Sequence, residues 1–157
     1  MTGGPSRQHR AASAPGPPLL AVSPPPSTPP ARTAGPWPLP NAPECCAQVR
    51  GNVRETLTLW GLADLIPQAE LLANELAANA VRHGRDPIRL TLALDDDGTL
   101  RCLVDDGSVL LPRPRRAAEE DEGGRGLALV ALLASRWGAE RSPNGKTVWY
   151  ELGPGSR

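Results

Sequence analysis

The chain has 157 residues, enough for one domain, and its 17 lysines and arginines balance its 17 aspartates and glutamates. Residues 44–157 hold 14 of those basic residues and all 17 acidic ones, so this mildly acidic part gives no electrostatic reason to expect nucleic-acid binding. No apolar run approaches the roughly 18 residues of a membrane span, and the N-terminal apolar stretch is too short for a signal peptide. The three cysteines are an odd number and two of them are adjacent in sequence, which indicates a reduced, intracellular chain. We therefore expect a cytoplasmic protein, and one that binds no membrane.

Residues 1–43 are predicted to be a disordered tail. They contain 13 of the 19 prolines and no acidic residue, and proline-rich runs offer neither backbone donors nor much to bury. The polyproline could be a ligand for a recognition domain, but we favour a passive extension. One folded domain is therefore expected over residues 44–153, with a frayed end at 154–157.

Two helices are predicted at the start of this domain. The first begins near Glu44 and ends at Gly61, because apolar residues recur at four, four and three positions (Val49, Val53, Leu57 and Trp60). The second covers residues 68–84, where helix-favouring residues follow Pro67 and precede a glycine. Its apolar stripe has four-residue spacing and consists of Leu72, Leu76 and Ala80.

A polar stripe runs beside the apolar one on the second helix. Glu75, Asn79 and His83 are also four residues apart and therefore share a face. If both stripes point inward, a carboxylate, an amide and an imidazole line one edge of a cavity. The alternative is a solvated polar face, which is the commoner role of such residues.

A β-hairpin is predicted next, over Ile88–Leu94 and the strand that begins at Leu100. Both segments alternate apolar and polar residues, and Asp97-Gly98 is typical of a hairpin turn. Continued to the end of the second strand, the alternation places Asp106, rather than Asp105, on the inward face.

The rest of the domain is predicted to be a loop, a helix and a second hairpin. Residues 109–123 contain prolines and charge runs, and Gly123–Gly126 then open a helix that runs to about Arg136. Free N–H groups at a glycine-rich helix start suit a phosphate. The closing hairpin is expected to consist of strands 137–141 and 147–152 around a turn at 143–145.

Four segments in this order resemble the nucleotide-binding boxes of the GHKL ATPase and kinase superfamily. Glu75–His83 resembles its N-box, Val104–Ser108 its first glycine box, and Gly124–Leu127 its second. Gly145–Val148 resembles the strand that closes the nucleotide site. The likeness covers about residues 44–153 and is strongest to the anti-sigma-factor serine kinases, in particular the stand-alone ATP-binding regulators of actinomycetes. Unlike the family pattern, serine and leucine occupy glycine positions of the first glycine box, at Ser108 and Leu110.

The resemblance implies a two-layer α/β sandwich, with helices on one face of a mixed, mostly antiparallel sheet and ATP between the layers. Asp106 would accept a hydrogen bond from the adenine amino group, Asn79 would hold Mg²⁺, and Glu75 would be the general base. Loop 109–123 would be the ATP lid. The other nucleotide-binding residues implied by the resemblance are His83, Ser108, Gly124, Arg125, Gly126, Leu127 and Thr147.

The function implied by the resemblance is that of an ATP-dependent serine kinase. Such a protein phosphorylates a small antagonist protein and binds a sigma factor when the antagonist is phosphorylated. An alternative is a non-catalytic module that keeps the pocket and acts by sequestration. A histidine kinase catalytic domain is less favoured, because we expect no helical hairpin with a phosphoacceptor histidine before the domain. An α/β domain without nucleotide and the question of a homodimer also remain open.

Overall fold

The structure is a computed structural model that describes residues 29–111 and 122–154, with the backbone alone described at residues 122–125. In these residues three helices cover one face of a five-stranded sheet. The helices are α1 (Cys45–Leu59), α2 (Ile66–His83) and α3 (Glu122–Leu133), with a short 3₁₀ turn at Ala63–Leu65 before α2. The strands are β1 (Arg32–Leu39), β2 (Ile88–Leu94), β3 (Leu100–Asp106), β4 (Arg136–Ser142) and β5 (Gly145–Leu152).

The sheet has the strand order β1-β2-β3-β5-β4, and every neighbouring pair is antiparallel. The predicted two-layer α/β sandwich is therefore confirmed. The expectation of a mixed sheet was wrong for the described strands, whose pairs are all antiparallel. Strand β3 is the central strand of the sheet. Its last residue, Asp106, therefore lies at the end of the strands with two other strands on either side of it.

Strand β1 corrects the predicted tail, because residues 32–39 pair with β2 instead of remaining unstructured. The prolines at positions 36 and 38 argued against a strand, yet proline is tolerated on an edge strand that needs no outward donor. Gly35 has a φ of +88° beside a break in register, which is how the strand bends without losing its pairing. Leu39 is then buried beneath α1. Residues 1–28, where the rest of the predicted tail falls, lie outside the described residues.

Aliphatic side chains and one tyrosine fill the core between the layers. The predicted inward stripe of α2 is confirmed, since Leu72, Leu76 and Ala80 are each at most 3% exposed. The Tyr150 hydroxyl donates a hydrogen bond of 2.8 Å to the carbonyl of Ala69, which ties β5 to α2. Burial raises the pKa of the Cys102 thiol to about 12, so this cysteine is neutral and behaves as a small apolar side chain.

Several boundaries follow the predictions closely and others shift. The β2–β3 hairpin turns as expected at Gly98, whose φ is +88°. Helix α3 ends at Leu133 rather than near Arg136, because the Ser135 N–H already donates to the Glu151 carbonyl at 2.8 Å and starts the pairing of β4. The greater part of loop 109–123 lies outside the described residues. Within the described ranges, no helix has both the length and the apolar character of a membrane span.

Candidate functional site

The polar stripe of α2 runs from the interior to the surface. Asn79 is buried at 7% exposure, Glu75 is half-buried, and His83 is exposed at the last position of the helix. The stripe is therefore neither wholly solvated nor wholly internal. It presents an amide and a carboxylate at the boundary of the core, with the imidazole outside.

Asp106 lies at the end of β3 and is held by its own turn. Its side chain is 1% exposed, on the inward face that the alternation predicted. The Ser108 N–H donates to Asp106 Oδ1 at 2.7 Å, and Ser108 Oγ accepts a bond of 3.3 Å from the Leu110 N–H. The backbone of Ser108 thus fixes the carboxylate, and its hydroxyl adds a bond to the next part of the turn that glycine could not make.

Gly84 brings the end of α2 against Asp106. It caps the helix as its position predicted, since its N–H donates to the Ala80 carbonyl at 2.8 Å, and its φ of −91° is an ordinary extended value. A Cβ at this position would lie 2.5 Å from the Ala80 carbonyl oxygen and 2.7 Å from Asp106 Cγ. The glycine is needed for close approach, because no side chain fits between the helix end and the carboxylate.

Gly84→Ala is therefore expected to destabilise the domain by about 1–3 kcal/mol, the usual cost of overpacking. The matched control is Gly51→Ala in the middle of α1, where a new Cβ meets nothing within 4 Å. That change should stabilise the fold by about 0.5–1 kcal/mol, since alanine favours a helix over glycine. Thermal unfolding followed by circular dichroism measures both. Equal melting temperatures for Gly84→Ala and the wild type would contradict the packing described here.

Helix α3 places its glycine-rich start beside Glu75. The Glu75 carboxylate fills the space next to Gly126, where a Cβ would lie 2.5 Å from Glu75 Oε2. Helices α2 and α3, which are far apart in sequence, therefore meet where the Glu75 carboxylate contacts the backbone of Gly126. This is the position in which a phosphate could reach both the α3 amides and the polar stripe of α2.

Lys146 is a residue of the site that the sequence analysis missed. It pairs with Asp106 across β3 and β5, is 2% exposed, and its Nζ lies 3.6 Å from Asp106 Oδ2. Lys146 Nζ also donates a hydrogen bond of 2.8 Å to the Leu110 carbonyl. A signal was present, because Lys146 precedes Val148 and Tyr150 by two and four positions and so shares their inward face.

Thr147 is not brought to Asp106. It pairs with Asp105, and its hydroxyl donates a short hydrogen bond to Asp105 Oδ1 on the sheet face opposite the helices. The resemblance implied a nucleotide-binding role for Thr147, but its side chain lies on the sheet face opposite that of Asp106. The alternation that turns Asp106 and Lys146 inward necessarily turns their neighbours outward.

The remaining predicted residues divide into two groups. Leu127 is 7% exposed and belongs to the hydrophobic core, so it anchors α3 rather than presenting a free side chain. Gly124 and Arg125 lie in the first turn of α3, and their side chains fall outside the described residues.

The residues present fit a magnesium nucleotide. Within the described ranges no three His, Cys, Asp or Glu side chains cluster to form a metal cage. Mg²⁺ characteristically binds one or two protein oxygens and completes its shell with phosphates and water. Asn79, one turn from Glu75 on α2, offers such an oxygen. Beyond the end of α2, against Gly84, Asp106 offers a buried acceptor for a nucleotide base.

An open cavity of about 380 Å³ lies elsewhere, at the opposite end of the sheet from Asp106. It is lined by the β2–β3 turn and by the ends of β4 and β5, and includes Asp95, Thr99, Arg136 and Glu151. None of the candidate site residues described above lines it. The cavity is separate from the candidate nucleotide site.

Comparison with protein-family models identifies the kind of domain. A family model described as the histidine kinase-like ATPase domain matches residues 39–151. No curated protein matches the chain. Among solved structures, the chain is similar to the histidine kinase domain of the blue-light activated histidine kinase from Erythrobacter litoralis EL346, with 16% identity and a TM-score of 0.46. That likeness covers 71% of this chain and 60% of the solved chain.

Proposed function

The chain belongs to the histidine kinase-like ATPase family, and from this premise we propose that it binds Mg²⁺–ATP between α2, α3 and the end of β3. The observation that carries the proposal is the buried Asp106 carboxylate, which lies against Gly84 at the end of the polar stripe of α2. A buried carboxylate normally needs a donor, and the adenine amino group is one. Asp106 Oδ1 is already bonded to the Ser108 N–H, so Oδ2 is the oxygen that would accept from the adenine amino group.

The triphosphate would extend from Asp106 along α2 towards Glu75 and the start of α3. Backbone N–H groups in the first turn of α3 would bind phosphate oxygens, and Gly126 lets the Glu75 carboxylate lie against this end of the helix. Asn79, between the base end and Glu75 on the same helix, is the residue that would hold Mg²⁺. The bound ion would supply positive charge that offsets charge developing on the phosphate oxygens.

We further propose that the protein is a serine kinase of the anti-sigma-factor type. Glu75 would accept the proton of a partner's serine hydroxyl as that oxygen attacks the γ-phosphorus. The bond from phosphorus to the bridging oxygen breaks, so ADP leaves and phosphoserine forms. Glu75 supports this role because it is half-buried at the phosphate end, where a carboxylate is accessible yet partly shielded from water.

The partners would be a small antagonist protein that carries the serine and a sigma factor that is bound when the antagonist is phosphorylated. The subtype rests on the four sequence segments and not on a partner contact. A sequestering module with the same pocket but no phosphotransfer is the alternative. The two functions share ATP binding and differ only in whether Glu75 acts on a hydroxyl.

Incubation with γ-³²P-labelled ATP, Mg²⁺ and candidate antagonists from the same genome tests the kinase proposal. We expect label on a serine of one antagonist, lost when that serine is replaced by alanine. ATP binding together with sigma-factor binding, but without label on any antagonist, would favour the sequestering module instead.

A further inference from the structure

Lys146 is the only lysine in a chain that has sixteen arginines. It is buried at 2% exposure near the start of β5, on the sheet face that the helices cover. Arginine presents a planar fork of donors, whereas lysine presents a compact ammonium on a flexible stem. All the other Lys/Arg positions of the chain hold arginine. The cation beside Asp106 is the single compact ammonium among them.

The contacts of Lys146 leave hydrogen-bonding capacity next to Asp106. An ammonium has three N–H groups, and in the described part of the chain one of them donates to the Leu110 carbonyl at 2.8 Å. The 3.6 Å from Nζ to Asp106 Oδ2 is too long for a hydrogen bond, so these two groups form an ion pair that uses no donor. The site therefore presents an acceptor, Asp106 Oδ2, and a donor, Lys146 Nζ, side by side.

Adenine has the complementary pattern. Its amino group is a donor, and on either side of that group a ring nitrogen, N1 or N7, is an acceptor. We propose that Lys146 is a second base-recognition residue, whose ammonium donates to the ring nitrogen beside the amino group that Asp106 accepts. The inference rests on the proposed binding of ATP at this site. Because the ammonium has three donors, it can make this bond and keep the bond to Leu110.

The alternative role is that of a counter-charge for Asp106, with no contact to the base. Both roles predict that loss of Lys146 weakens ATP binding, so affinity for ATP alone does not separate them. Analogues in which one ring nitrogen is replaced by a C–H group do separate them, because they remove the acceptor and leave the amino group in place.

Calorimetry with Mg²⁺ and ATP, 1-deaza-ATP or 7-deaza-ATP is the test, on wild-type protein and on Lys146→Met. In the wild type we expect one analogue to bind about 10- to 100-fold more weakly than ATP, the range for a hydrogen bond to a charged donor. In Lys146→Met that analogue and ATP should bind equally well. The matched control is Arg141→Met, which removes the exposed cation paired with Lys146 across β4 and β5 and should keep the wild-type discrimination.

A second measurement uses the wild type alone, since Lys146→Met leaves the Asp106 carboxylate buried without its cation and could unfold. In protein labelled with ¹⁵N-lysine, Nζ gives a single side-chain resonance, because there is one lysine. We expect saturating ATP to shift this resonance and the discriminated analogue to leave it near its free position.

Three results would overturn the assignment. Equal binding of ATP and both analogues by the wild type would do so, as would a penalty that persists in Lys146→Met. An Nζ resonance that responds equally to all three nucleotides would also do so. If wild-type protein binds the nucleotides with any of these outcomes, the proposed function stands and only the role of Lys146 fails. Absence of ATP binding to the wild type would overturn both.

Discussion

Glu75→Ala is expected to lower the rate of phosphotransfer about 10²- to 10⁴-fold, the range for loss of an acid–base group, while Mg²⁺–ATP affinity stays near that of the wild type. The carboxylate is needed only when a hydroxyl is activated, and binding of the nucleotide relies on Asp106, Asn79 and backbone amides. Single-turnover transfer of labelled phosphate to the antagonist, together with calorimetry, measures the two effects separately. Binding of the sigma factor should also survive, because the surface that binds the sigma factor need not include Glu75.

Glu70→Ala is the matched control for this experiment. Glu70 lies on the same helix, but it faces α1 and is paired with Arg54 at 2.8 Å. Its removal should leave phosphotransfer unchanged. If Glu75→Ala instead abolishes ATP binding or unfolds the domain, the packing of Glu75 against Gly126 is its main role and the catalytic assignment is wrong.

Asn79→Ala is expected to weaken Mg²⁺–ATP binding by roughly tenfold or more and to reduce phosphotransfer with it. The amide is buried at 7% exposure on the stripe between Glu75 and the helix end, so its oxygen is held in a fixed position by the packing of α2. The informative comparison is affinity with Mg²⁺ against affinity in a chelator. The wild type should show a clear difference, and Asn79→Ala should show little.

Asn74→Ala provides the control, since Asn74 is a half-buried amide on another side of the same helix. It should keep the wild-type dependence on Mg²⁺. A full Mg²⁺ effect in Asn79→Ala would mean that the ion is held elsewhere, and Glu75 would then be the first residue to test.

The inward positions of the fold could be predicted because buried side chains recur at a regular spacing, about every four residues in a helix and every two in a strand. The stripe of Leu72, Leu76 and Ala80 follows from helical spacing, and the inward turn of Asp106 follows from strand alternation. These predictions needed no knowledge of which elements would be neighbours. The same reasoning applied to β5 would have identified Lys146, since it shares a face with Val148.

Other features depend on neighbours that the sequence does not reveal. Strand β1 forms in spite of Pro36 because its outer edge requires no donors, and that edge position is set by the topology of the whole sheet. The need for glycine at position 84 comes from Asp106, which is 22 residues further along the chain. Local patterns correctly predicted a helix cap there, but they did not show that a side chain at this position would collide with Asp106.

Calorimetric titration of Mg²⁺–ATP into wild type, Asp106→Asn and Asp105→Asn tests the central claim most directly. The two aspartates are adjacent in β3 but face opposite sides of the sheet, so one variant is the control for the other. We expect the wild type to bind ATP and Asp106→Asn to bind it about 10- to 100-fold more weakly, because a charge-assisted hydrogen bond is lost. Asp105→Asn should bind like the wild type. Wild-type affinity in Asp106→Asn with loss of affinity in Asp105→Asn, or no ATP binding by the wild type, would contradict the site described here.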